Sequence, residues 1–159
     1  MPKTLLLNNM FLFLCCSIYL GTGVSLVFFQ LPVEPQITTE NYRLFFIEPL
    51  RLATVFLTWM TVLMLISGTV MAITEWWTGI RWVPLVVLVL IIAATLLTQY
   101  GIFPYNDRMR AGVTDPVELD AIVHRWAHLC RVRAAIWAVQ WLAMAYWFSA
   151  LALKARADR

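Results

Sequence analysis

Four stretches of this chain, about residues 5–29, 52–74, 82–102 and 134–153, are almost free of charge. A bilayer-spanning helix needs about 20 mainly apolar residues to match a hydrocarbon layer about 30 Å thick. Each stretch meets that length. A water-facing fold fails on its supply of polar side chains: 62% of the 159 residues are hydrophobic and 13% charged, against about 25% charged in an ordinary soluble domain. The expected fold class is therefore all-α, an integral membrane four-helix bundle whose first partner is the lipid bilayer. It forms a single domain with no internal repeat.

The first stretch follows Met1-Pro2-Lys3, which resembles a secretory leader. Its apolar run is longer than the usual 7–15 residues of such a leader and ends in no clear small-x-small cleavage site, so a retained helix is expected. Gly21 and Gly23, with Ser25, thin one section of it for close helix approach. The link from Glu75 to Arg81 is short, so the second and third spans must be antiparallel neighbours. Trp76, Trp77 and Trp82 around it suit an interfacial aromatic belt. Cys15, Cys16 and Cys130 form no CxxC pair, and helical neighbours 15 and 16 point about 100° apart. They read as small buried hydrophobes rather than as a disulfide-forming centre.

Four spans put both termini on one side, with the 75–81 link. That side carries Lys3, Arg81, Lys154, Arg156 and Arg159. The other carries seven arginines (Arg43, Arg51, Arg108, Arg110, Arg125, Arg131 and Arg133) among seven acids. The raw count of five against seven favours termini outside. The seven arginines, however, sit among equal acid in two structured segments, whereas the C-terminal tail is plainly basic. The expectation is a bacterial inner membrane with cytoplasmic termini and segments 30–51 and 103–133 on the periplasmic face. No run of five or more Lys/Arg occurs, so nucleic acid is no partner.

Those two segments should form a polar cap. Asp115-Pro116-Val117-Glu118 reads as a helix start, with Asp as N-cap and Pro at the first helical position. A helix from Pro116 to Leu153 would be about 57 Å long, so the last helix must project beyond the bilayer or tilt into the headgroups. In segment 30–51, Pro32 and Pro35 should break the first span. Thr39 should open a short amphipathic run with Tyr42, Phe45 and Phe46 on the membrane surface. Pro49 suits the first turn of the second span and puts Glu48 and Arg51 at its mouth, candidates for substrate binding. A turn is expected over Phe103–Arg108.

The densest chemistry lies on the projecting half of the last helix. At 100° per residue, Asp120, His124, His128 and Arg131 fall within a stripe about 80° wide, holding both histidines of the chain. Three readings compete. The stripe packs on segment 30–51, with Arg131 paired to Glu34 or Glu48. Alternatively, Asp120, His124 and His128 bind copper, iron or zinc. In the third reading, a histidine serves as catalytic base while Arg131 holds an anionic substrate. Haem fits worst, because two histidines at i and i+4 cannot take opposite faces of one haem. Met60, Met64 and Met71 suit core packing better than copper–thioether ligation. Trp137 and Trp141 read as packing or lipid-facing residues.

The four spans, the Gly-bearing first helix, Pro104-Tyr105-Asn106 after the third span, and Trp126 with Arg131-Val132-Arg133 before the fourth together resemble the anthrone-oxygenase-like family of small membrane proteins. That resemblance implies cofactor-independent oxidation of anthrones to quinones by O₂. It also implies a site lined by Asn106, Trp126, Arg131 and His128. A narrower likeness joins Asp120-x3-His124 to the copper-binding helix of particulate methane monooxygenases. The leading expectation is thus an oxidoreductase or oxygenase with a polar site at the membrane interface. Its site is His124, His128 and Arg131 as catalytic groups, with Glu34 and Glu48 closing it. The alternative is a non-catalytic subunit of a larger respiratory or photosynthetic complex, or a homo-oligomer. A transporter is disfavoured by the lack of charge at mid-bilayer.

Overall fold

The computed structural model describes residues 2–157, apart from the side chains of Phe45 and Phe46. Asp158 and Arg159 of the basic tail lie outside the described residues, as do the side chains of the Phe45–Phe46 pair expected on the membrane surface. Among the described residues there are five α-helices and no strand: α1 Lys3–Ser25, α2 Glu48–Thr74, α3 Trp82–Leu96, α4 Phe103–Ala111 and α5 Pro116–Ala157. Four helical rods (α1 with its extension, α2, α3 with α4, and α5) are long and apolar enough to cross a membrane. Their outward side chains, such as Trp59, Ile66, Val89 and Leu142, are apolar and exposed, as a lipid-facing surface requires.

Among the described residues there are three π turns, all at the same end of the bundle, two within rods and one leading into α2. α1 continues through a π turn over Leu26–Gln30 and a 3-10 turn over Leu31–Gln36. Pro32 and Pro35 therefore tighten the first rod rather than break it. Pro32 stands in the first turn of the 3-10 segment, where a missing N–H costs nothing. A second π turn, Arg43–Ile47, leads into α2, and a third, Leu97–Ile102, joins α3 to α4. The Phe103–Arg108 stretch expected as a turn is the body of α4, because Pro104 likewise occupies a first helical turn. α5 begins as its sequence indicates, with the Val117 N–H donating to Asp115 Oδ1 at 3.1 Å. Its 42 residues make it about 63 Å long, roughly twice the hydrocarbon thickness.

The four rods form a ring. α1 packs on α2 and α5, and α3 packs on α2 and α5, but among the described residues neither diagonal pair comes within 8 Å between Cα atoms. α1 meets α5 closely at Gly23, where a Cβ would stand 3.1 Å from both Ala134 Cβ and Trp137 Cε3. Gly21 faces open space, so of the two glycines only Gly23 makes the approach. Met64 and Met71 are buried with Trp137, Met144 and Trp147 in the membrane core, in agreement with the packing reading of the methionines. All three cysteines are free and buried.

The segments expected as a cap share a second buried cluster, built around Tyr42, Met109, Trp126 and Cys130. Tyr42 is buried rather than laid on the membrane surface, because its hydroxyl has partners inside. Its Oη donates to the Met109 carbonyl at 3.3 Å and accepts from the Val113 N–H at 3.1 Å. Hydrogen bonding from Arg43 and from that N–H lowers the phenol's pKa below its ordinary value. Gly112 ends α4 at φ +102, a backbone conformation that side chains disfavour. This reversal brings Val113 to Tyr42.

Candidate functional site

Two polar features emerge. The first is the α5 stripe. Asp120, His124 and His128 are exposed, and they do not converge: among the described residues no group of three or more His, Cys, Asp and Glu side chains could hold a metal ion. The three-donor metal set is thus not assembled. His124 Nδ1 instead stands 3.3 Å from Glu34 Oε1, and Arg131 Nη2 stands 3.6 Å from Glu34 Oε2. Glu34 is mostly covered at 15% exposure, while His124 is 73% exposed. The stripe therefore clasps the extension of α1 onto α5, which is the packing reading with Glu34 as the carboxylate. Glu48 does not join it. It pairs with Arg51 at 3.4 Å, both side chains exposed, and α2 does not reach α5.

The second feature is a cleft of about 240 Å³ inside the ring. It exists because α2 and α5 stand on a diagonal and the cap-side continuation of α3 leans towards α5 instead of α2. One wall is α2, from Leu50 to Leu65. The other is the α3 rod from Ile91 to Asn106, and the back is closed by Tyr19 of α1 with Arg133, Trp137 and Gln140 of α5. Ala53, Thr58, Val62 and Gln99 line the cleft and are also exposed. Its open side therefore lies between α2 and the cap-side end of α3, on the outer surface of the ring.

Most polar groups in this cleft already have partners. The hydroxyls of Thr54, Thr58, Thr61, Thr95 and Thr98 each donate to the carbonyl one turn earlier, which leaves them acceptors towards the cleft. Tyr19 Oη lies 2.6 Å from Thr61 Oγ1 and donates to the Leu57 carbonyl. Gln140 Nε2 donates to Cys16 Sγ at 3.2 Å. At the cap end, buried Asn106 accepts from Trp126 Nε1 at 2.8 Å, which joins two of the residues implied by the family likeness at the head of the cleft.

Arg133 differs. Its Nη1 donates to Thr98 Oγ1 at 3.3 Å and its Nη2 approaches Cys130 Sγ at 3.8 Å. Its Cζ stands 4.7 Å from the centre of the Trp137 ring, within cation–π range. Nε is buried without an acceptor, and no carboxylate among the described residues lies within ion-pair distance. A charge at the centre of a bilayer costs about 2.5–3.5 kcal/mol on insertion scales, so an arginine without a carboxylate partner stands out on a helix long and apolar enough to cross a membrane.

Arg131 and Arg133 are two residues, about 200°, apart on one helix, so one faces Glu34 outside and the other the cleft. Arg133 is the residue that attention to the histidine stripe passes over. The signal was present: Trp126, Cys130, Arg133, Trp137, Gln140, Met144 and Trp147 recur at spacings of three and four. They trace the inward face of α5, with one arginine on it. No family model, curated protein or solved structure matches this chain, so the likeness to anthrone-oxygenase-like proteins rests on its sequence motifs.

Proposed function

We propose that this membrane protein takes a hydrophobic small molecule laterally from the bilayer into the cleft between α2 and α3. The observation that carries the reading is an arginine without a carboxylate partner in a cavity that opens on the outer surface of the helix ring. Binding sites are commonly concave, mostly apolar and fitted with a few converging polar groups, and this cleft has that character. Arg133 and Asn106 are the polar anchors. The apolar length, down to Met64 and Ile91, takes the rest of the molecule. Oxidoreductase or oxygenase chemistry, if the protein performs it, acts on a molecule held here rather than at the exposed Asp120–His128 stripe. In this reading the Lys3 side is cytoplasmic and the cleft lies towards the periplasmic face of a bacterial inner membrane.

Native mass spectrometry of the protein released from mild detergent tests the binding. Wild type should carry a small lipophilic adduct that Thr58→Trp, which fills the mouth of the cleft, loses without unfolding. An adduct retained by Thr58→Trp, or none in wild type after incubation with lipophilic extract, would remove the reading. The second reading, a non-catalytic subunit, draws on the exposed Asp120, Arg125 and His128 face of α5. It predicts stable co-purification with a catalytic partner.

A further inference from the structure

Resting on the cleft reading, we infer that the ligand is an amphipathic anion whose charged oxygen head group lies against the Arg133 guanidinium. Charge balance is the first argument. Among the described residues, Arg133 is the one ionisable cation lining the cleft, and no acidic side chain lines it. A guanidinium offers five N–H donors, and two of the Arg133 nitrogens have partners, one of them only a distant sulfur. A cation in a poorly hydrated site is stabilised by a counter-charge or by water, and the protein supplies no counter-charge there.

The second argument is the bias of the remaining groups. The threonine hydroxyls around Arg133 spend their protons on helix carbonyls. A neutral ligand rich in donors would find them as acceptors, but it would leave the guanidinium uncompensated. An oxyanion uses what is missing, since charge-assisted N–H···O⁻ bonds to arginine are the strong ones and often bidentate. The third argument is size. About 240 Å³ is just below the roughly 300–1,000 Å³ of pockets that bury a whole drug-sized ligand. That holds a carboxylate or phosphate head with a short length of chain, and the open side leaves the rest of the tail in lipid. Both head groups share the chemistry of an oxyanion on an alkyl tail.

The test is competition in neutral-lipid nanodiscs at a pH where the acid is ionised. The readout is displacement of the immobilised signal of a spin-labelled alkyl probe. The competitors are dodecanoate, dodecyl phosphate, dodecan-1-ol and inorganic phosphate. Wild type should prefer either anionic amphiphile to the alcohol by about tenfold or more, the scale of one charge-assisted bond. Inorganic phosphate should not compete. Arg133→Gln should bind the alcohol as before and lose the preference, and Arg133→Lys should keep part of it. Equal binding of alcohol and anions by wild type overturns the inference while leaving the cleft reading intact. Displacement by inorganic phosphate alone overturns the amphiphile. If no amphiphile binds, the cleft reading fails and this inference with it. Should Arg133→Gln lose all binding, Arg133→Lys decides: a retained anion preference supports the inference and its loss overturns it.

Discussion

Placing the same methyl group at two sites two residues apart on α1 gives a sharp measure of how the cleft is held. Gly21→Ala adds a Cβ where nothing lies within 4 Å. It should be neutral or stabilise by up to about 1 kcal/mol, because alanine outranks glycine within a helix. Gly23→Ala puts that Cβ 3.1 Å from Ala134 Cβ and Trp137 Cε3, and 3.4 Å from Ala134 Cα. Ordinary contact begins a few tenths of an ångström farther out. The Ala134 methyl has no other rotamer to retreat to, so α1 and α5 must separate, and overpacking of this kind costs about 1–3 kcal/mol. The two variants should therefore differ by roughly 1–3 kcal/mol, or more with Gly23→Val. Trp137 also carries the Arg133 guanidinium on its face, so Gly23→Ala should disturb the cleft as well. Unfolding in mixed detergent micelles, followed by tryptophan fluorescence, gives the comparison. Equal stability of Gly21→Ala and Gly23→Ala would refute the close approach of α1 to α5.

Other outcomes follow from the cap and the stripe. Tyr42→Phe strands the Val113 N–H and removes the donor to Met109. It should cost about 1–3 kcal/mol and speed amide exchange at Val113; unchanged exchange there would count against the buried tyrosine. Glu34→Gln removes the charge on which both ion pairs of the clasp depend, yet its partners are 73% and 45% exposed. The loss should stay below about 1 kcal/mol and shrink in salt, as a thermal melt at two ionic strengths will show. Because Asp120, His124 and His128 do not converge, metal content by mass spectrometry should be the same in wild type and His124→Ala/His128→Ala. Near-stoichiometric copper, iron or zinc that vanishes in the double variant would contradict that.

The spans were legible because length and apolarity decide what can cross a bilayer, and Asp115-Pro116 marked the start of α5 by local capping chemistry alone. The prolines misled where they fell in first turns: Pro32 and Pro104 continue their rods, and only the three-dimensional path of the chain shows it. Local amphipathic spacing puts Tyr42 on the surface because its partners, Met109 and Val113, lie over sixty residues away. Helical periodicity grouped Asp120, His124, His128 and Arg131 correctly as one face. It could not say that Glu34 would meet that face, or that Glu48 would not. The cleft itself was illegible, because it depends on which rods stand on a diagonal, a property of the ring rather than of any one helix.

Photolabelling tests the central claim most directly. A neutral dodecyl alcohol with a diazirine near its head is irradiated with the protein in nanodiscs, and the labelled peptides are mapped. A ligand entering between α2 and α3 predicts label concentrated on Ala53–Thr61 and Thr95–Gln99, competed by unlabelled alcohol and lost in Thr58→Trp. Label spread evenly over outward residues such as Trp59, Ile66, Val89 and Leu142, with no competition, would mean that the cleft takes no ligand.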